Sequence, residues 1–195
     1  MKRIFSLAAV LVTTFLLSSC ATQGPLEGWI TLLDGERGLE NWNRTGAGNW
    51  RAEKGAIQID GKTNKDAAFL YSKNAYKDFE LYVEYSADVD ANSGVFLRIT
   101  NTQTINTKGG YEVQIFDKNP KFPTASMVNL AAAPERFSKL AGQWNAFYIT
   151  AKGPRLTVVM NGEKAVELDN SVFPEGPIGL QYNSGTVRFR KVMIR

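Results

Sequence analysis

Phe79-Glu80-Leu81-Tyr82-Val83-Glu84-Tyr85 alternates without a break: Phe79, Leu81, Val83 and Tyr85 share one side, and Glu80, Tyr82 and Glu84 share the other. A period of two marks a strand with one face in a core. The pattern repeats in both directions along the chain. Upstream lie Trp29 to Leu33, ending at Asp34-Gly35, then Trp50 to Glu53 and Ala56 to Asp60 around a Lys54-Gly55 turn, then Ala67 to Tyr71. Downstream lie Val95 to Ile99, Tyr111 to Phe116, Trp144 to Lys152 and Arg155 to Met160. Asn161-Gly162, where both turn residues need positive φ, then returns the chain along Glu163 to Leu168. Pro177 to Tyr182 and Thr186 to Arg195 finish the series, with a change of phase at Arg190-Lys191 that predicts a β-bulge. Thr100 to Gly110 reads as a polar loop. Lys118 to Gly142 reads as a long loop with at most one helical turn near Pro134 to Leu140. Many short alternating strands with few helical periods predict an all-β, two-sheet antiparallel sandwich.

The chain opens MKRIFSLAAVLVTTFLLSSC. Lys2 and Arg3 precede an uncharged apolar run from Ile4 to Leu17, too short for a stable membrane span and suited to a signal peptide over residues 1–19. Leu17-Ser18-Ser19-Cys20 has the form of a lipobox, so Cys20 is the expected lipid attachment. Residues 20–27 form a tether, and residues 28–195 form a single domain. The expected location is the cell envelope, lipid-anchored to the membrane through Cys20. Ala21 directs it to the outer membrane in a diderm host. Cys20 is the only cysteine, so the fold must be held by its core without an internal disulfide. There is no histidine, which excludes a Ser-His-Asp triad and His-ligated zinc. The formal charge of +4 falls to +2 once Lys2 and Arg3 are lost, and no basic stripe points to nucleic acid.

Several runs, taken in order, carry a resemblance. They are Leu32-Leu33-Asp34-Gly35 with Leu39 and Trp42, Trp50 with Gly55, Asn92-Ser93-Gly94-Val95-Phe96-Leu97-Arg98, Gly110-Tyr111-Glu112-Val113-Gln114-Ile115, Trp144-Asn145, Asn161-Gly162, and Ile178-Gly179-Leu180-Gln181. From about Gly28 to Arg195 the chain resembles the 3-keto-disaccharide hydrolase domain family. The resemblance implies a concanavalin A-like jelly roll acting on glycosides whose glucose ring is already oxidised at C3. Three positions depart from the family pattern. Val158 and Val128 stand near positions that often hold a histidine and a tyrosine, and Tyr182-Asn183-Ser184-Gly185 replaces an Asp-His-Gly run.

Alternation also predicts a site. Val95, Leu97 and Ile99 are expected in the core, with Phe96 and Arg98 facing away. Tyr111, Val113 and Ile115 oppose Glu112 and Gln114. Ile178, Leu180 and Tyr182 oppose Gly179, Gln181 and Asn183. One sheet face is thus expected to carry Arg98, Glu112, Gln114 and Gln181, with Glu84, Asn183 and Asp117 as further substrate-binding candidates. Such a lining of amides, carboxylate and guanidinium suits a sugar. A ketone at C3 acidifies the C2 proton, so Glu112 is the expected base and Arg98 the expected enolate stabiliser. Direct hydrolysis would instead pair Glu112 with Asp117 or Glu84. Glu112 and Arg98 as a plain cross-strand ion pair is the structural alternative. Trp29, Trp42, Trp50 and Trp144 read as core residues rather than sugar platforms. Asp88, Asp90 and Asn92 read as a polar loop rather than a calcium site, and no cofactor is expected. A carbohydrate ligand fits either an enzyme or a catalytically inactive binding lipoprotein on the same fold.

Overall fold

The computed structural model describes residues 27–138 and 141–195, so the signal segment, Cys20 and the tether up to residue 26 lie outside the described residues. The thirteen strands of the described chain are β1 (Ile30–Asp34), β2 (Trp42–Thr45), β3 (Arg51–Glu53), β4 (Ala56–Ile59), β5 (Ala68–Tyr76), β6 (Phe79–Ala87), β7 (Asn92–Leu97), β8 (Tyr111–Ile115), β9 (Trp144–Lys152), β10 (Arg155–Met160), β11 (Glu163–Asp169), β12 (Gly176–Ser184) and β13 (Val187–Ile194). They form two antiparallel sheets. The larger runs β11-β10-β9-β6-β13-β4-β3, with β1 also on β13; the smaller runs β2-β5-β12-β7-β8. This is the all-β sandwich that the alternation predicts.

Inner faces follow the period of two. Leu81, Val83 and Tyr85 of β6, Phe147 and Ile149 of β9, and Phe189 and Val192 of β13 meet Leu70, Val95, Leu97, Val113, Ile115, Ile178 and Leu180 of the smaller sheet, all buried. Each such side chain contributes about 1.5–3 kcal/mol on leaving water. A core of this kind stabilises the fold without a cross-link. The predicted bulge is present: the β13–β6 register shifts between Phe189 and Lys191. There β13 changes partners on its other side, from β4 at residues 187–189 to β1 at residues 191–194. Asn161 (φ 51°) and Gly162 (φ 85°) make the predicted hairpin turn.

Four differences from the sequence reading have physical causes. Strand β2 is too short and polar to show a period. Strand β7 ends at Leu97 because Arg98 adopts φ 53° and turns the chain, so Ile99 leaves the core side and packs with Phe69 and Phe96 on the outer face. A 3₁₀ turn at Leu39–Asn41 was not read because three residues are too few to show a helical period, whereas the turn expected near Pro134 to Leu140 is present as a 3₁₀ turn at Glu135–Ser138. Of the tryptophans, Trp42 and Trp50 are buried. Trp29 instead is half-buried against the Tyr148 edge, and Trp144 is 38% exposed with the Arg190 guanidinium 4.3 Å from its ring centre. Long flat rings near a sheet margin cover ion pairs there rather than entering the core.

The long loop after β8 also covers that strand's free edge. Gln114 N–H donates to the Ser126 carbonyl, Ala125 N–H to the Gln114 carbonyl, and Val128 N–H to the Glu112 carbonyl, each at 2.9 Å. An otherwise open edge is closed in this way, and the strand carrying Glu112 and Gln114 is fixed from both sides.

Candidate functional site on the outer face of the smaller sheet

Strand register places the site residues in two rows across the smaller sheet. One row is Phe69 of β5, Gln181 of β12, Gly94 of β7 and Gln114 of β8. The next is Tyr71, Gly179, Phe96 and Glu112 on the same four strands. All eight alternate with residues of the core and so stand on the outer face. Phe69 and Phe96 meet edge to face with centroids 5.4 Å apart, and Ile99 and Ile105 complete a small apolar cluster there. Apolar faces and amides therefore lie side by side, as a sugar ring requires.

Glu112 is the centre of this face. Its side chain is 7% exposed. It folds over Gly94, where a Cβ would stand 2.8 Å from Oε1. Burial alone lifts its carboxyl to about 7. Desolvation disfavours the charged form, and among the described residues no cation offsets it. Beside it, Gln114 is 5% exposed and Gln181 half-buried, and the Oε1 atoms of both are buried without a hydrogen-bond partner among the described residues. Buried amides are normally satisfied, so two unpaired ones flanking a buried carboxylate mark a face built to meet a ligand.

Residues 28–195 match the family described as the 3-keto-alpha-glucoside-1,2-lyase-like domain. The chain belongs to that family. The chain is also similar in fold to a candidate glycosyl hydrolase from Parabacteroides distasonis, at 24% identity over 86% of this chain and 98% of the other, with a TM-score of 0.70. A protein of galectin-like fold from Bacillus subtilis matches at 11% identity, 84% and 92% coverage, and TM-score 0.63. A carbohydrate-binding module from the same organism matches at 17% identity, 78% and 93% coverage, and TM-score 0.51. No curated protein matches the chain in sequence. These neighbours agree with the jelly-roll architecture.

The structure does not bring every predicted site residue together. Arg98 is 1% exposed, and its guanidinium donates to the carbonyls of Lys77 (2.8 Å), Gly153 (2.9 Å) and Phe173 (3.2 Å) and to Asp78 Oδ1 (3.3 Å). Neither the expected pairing with Glu112 nor an enolate-facing guanidinium forms. The left-handed turn at residue 98 breaks the alternation and sends the side chain to the β5–β6 and β9–β10 turns. Glu84 lies on the outer face of the other sheet, accepting from Arg190 Nε and Tyr82 Oη at 2.6 Å each. Asp117 keeps the core phase of Val113 and Ile115. It accepts from the Thr124 hydroxyl and lines a small cavity with Tyr85 and Asn145, away from Glu112. Neither carboxylate is placed to pair with Glu112. Asn183 lies at the margin of the site, where its Oδ1 accepts from Lys62 Nζ at 3.0 Å. Asp88 accepts the backbone N–H groups of Asp90 and Thr186, and Asp90 pairs with Lys118, as a polar loop does.

Sequence reasoning missed Gly94, Phe69 and Ile105 as parts of the site. Gly94 carries a signal in retrospect: glycine inside a strand marks the close approach of another group.

Proposed function

We propose that the domain cleaves glycosides of 3-keto-glucose, with Glu112 as the base that removes the C2 proton. The observation that carries this reading is a buried carboxylate with no counterion among the described residues, lifted to a pKa near neutral by burial and flanked by two amides whose oxygens have no partner there. A base whose pKa lies near working pH is ionised often enough to act and basic enough to accept the proton. The proton leaves C2 for Glu112, and its electron pair forms the enolate of the C3 ketone. The enolate expels the leaving oxygen from C1 with the bonding pair, and that oxygen takes a proton from water. The hydroxide left from that water adds to C1 of the enone and Glu112 returns its proton to C2, so one water is consumed and the net change is hydrolysis. Amide O and N exchange places by a half-turn, so Gln114 and Gln181 can direct N–H groups at the enolate oxygen in place of Arg98.

A binding role without turnover is favoured by one observation: the guanidinium expected at the site is committed to backbone carbonyls elsewhere. Incubating the mature domain with a 3-keto-glycoside decides between the two. Release of aglycone by wild type and its loss in Glu112→Gln, with sugar binding retained, support the enzyme. Binding without release supports the second reading.

The proposal includes the location. The apolar run before Leu17-Ser18-Ser19-Cys20 supports export, lipidation at Cys20 and display of residues 28–195 from the envelope.

A further inference from the structure

Strand register shows which end of the sandwich faces the segment that leads back to Cys20. Strand β1 starts at Ile30 opposite Ile194, and Ile194 lies opposite Leu81 near the start of β6. Phe79 meets Ala151 near the end of β9, Lys152 meets Arg155 at the start of β10, and Arg155 meets Asp169 at the end of β11. The turns at residues 77–78, 153–154 and 170–175 therefore share one end with Gly28. Tyr111, at the start of β8, joins that end, since its hydroxyl donates to Asn170 Oδ1 at 2.8 Å.

Exposed apolar side chains gather there. Leu130 is 44% and Val172 67% exposed, and with Val128, Phe173 and the Tyr111 ring they line an apolar hollow of about 170 Å³. Its walls are fixed in advance. Phe173 N–H donates to the Tyr111 hydroxyl at 3.0 Å, and the two rings meet edge to face with centroids 4.9 Å apart. Leu130 N–H donates to the Met127 carbonyl at 3.0 Å, and Asn129 Nδ2 to Thr107 Oγ1 at 3.1 Å. Ile30 is exposed at the same end, five strand spacings or about 24 Å across from β11. At the far end, after β6, Val89 is exposed.

Tether length decides what can cover these residues. Residues 20–27 span at most about 28 Å when fully extended. Strand β6, with nine residues, is itself about 30 Å long. A bilayer that holds a lipid on Cys20 is thus within reach of the end at Gly28, and the domain cannot stand on the end at Val89. The flanks suit a membrane poorly. On the outer face of the larger sheet Glu80 pairs with Lys152 and Arg195, and Glu84 with Arg190, and ion pairs are costly to take out of water. The outer face of the smaller sheet carries the buried carboxylate and its amides. At the tether end Lys152 and Arg155 are already paired, with Glu80 and Asp169, so apolar burial makes the contact there rather than attraction to anionic lipid.

We infer that this end of the domain rests on the bilayer, with Leu130 and Val172 at the level of the headgroups, so that the strands stand upright and the Glu112 face opens sideways. The inference rests on the reading of Cys20 as the lipid attachment. A lipid alone lets the domain turn on its tether, and a second contact fixes its orientation.

The test uses the full-length protein, processed in cells and reconstituted into vesicles of phosphatidylethanolamine and phosphatidylglycerol. Cys20 is the only cysteine of the chain, and acylation occupies its sulfur. A thiol introduced by Leu130→Cys, Val172→Cys or Val89→Cys at these exposed positions is then the one free to take a fluorophore. Quenching by a lipid with a nitroxide just below its headgroup reads contact. Emission is expected to fall by about half or more for labels at residues 130 and 172, and by less than about a tenth at residue 89. Equal quenching at all three, or none at residues 130 and 172, in protein that floats with the vesicles overturns the inference and leaves the anchor standing. Protein that does not float overturns both. Disulfide cross-linking of Val172→Cys to a second copy, without quenching, assigns the hollow to that copy and overturns the inference.

Discussion

The Glu112 carboxylate occupies the space that a side chain at Gly94 would fill: a Cβ there would stand 2.8 Å from Oε1 and 3.1 Å from Cγ. The two residues sit on adjacent strands, and the smaller makes room for the larger. Gly94→Ala is therefore expected to displace the carboxylate, since the far end of a flexible side chain yields before the backbone does. Turnover of a 3-keto-glycoside should fall by at least about tenfold, roughly 1.4 kcal/mol, with thermal stability lowered by a similar or smaller amount. Full activity in a folded Gly94→Ala protein would show that the position of Glu112 does not matter.

Arg98 stabilises the sandwich from a buried position. Its guanidinium joins three backbone carbonyls from separate turns. Arg98→Met fills some of the volume but leaves those carbonyls without a donor, at a cost of about 3 kcal/mol or more. Asp78→Asn is expected to cost much less, because Asp78 is exposed and its charge is screened. Denaturant melts of both variants check the contrast. Sugar affinity per folded molecule should be the same in both, as neither side chain reaches Glu112.

The anchor is tested separately from the site. Cys20→Ser removes the sulfur that would carry the lipid. The variant is expected to shift from the membrane fraction to the soluble exported fraction, or to remain unprocessed. An unchanged membrane fraction with normal processing would remove the basis for lipidation.

Which parts of the molecule were legible in the sequence follows from how local each constraint is. Alternation is local, so β6, β8, β9 and β12 and the facing of Glu112, Gln114 and Gln181 could be read directly. The hairpin at Asn161-Gly162 and the slip at Arg190-Lys191 are also local. Arg98 was misplaced because one left-handed residue reverses the phase, and arginine gives no warning of positive φ as glycine does. Asp117, on the phase of Val113 and Ile115, already stands opposite Glu112 by the period of two, whereas Glu84 was misplaced for a different reason. A period of two says which residues share a face of one strand, but not which sheet that strand joins. The pairing of residues 124–128 with β8, and the apolar hollow at Leu130 and Val172, depend on loops with no period at all. The two sheet faces that Val113 and Gln114 define allow a direct check. Val113→Asp should unfold the domain by placing a charge in the core. Gln114→Ala should change stability little, because its amide oxygen has no partner to lose.

The raised pKa of Glu112 makes a prediction about stability that needs no substrate. An ordinary glutamate loses its proton near 4.5, whereas burial holds Glu112 protonated up to about 7. Between these values the native state binds a proton that the unfolded state has lost. Stability therefore falls as pH rises across this window, and it levels off above the native value. A separation of this size corresponds to roughly 3 kcal/mol across the window. Asp60 and Glu80, both lowered to about 2 by hydrogen bonds from Arg51 and from Lys152 respectively, work in the opposite direction. They are ionised in both states above about pH 6, so their contribution is lost only in stronger acid. Glu112→Gln should therefore flatten the stability profile between pH 5 and pH 8 and raise stability at pH 8. Wild type should gain activity as pH rises through about 7, because the base must be ionised to take the C2 proton. The two profiles run in opposite directions for one cause. Denaturant midpoints at intervals across this range, for wild type and Glu112→Gln, measure the first of them. A wild-type profile as flat as that of Glu112→Gln would mean that Glu112 is already ionised in the folded protein.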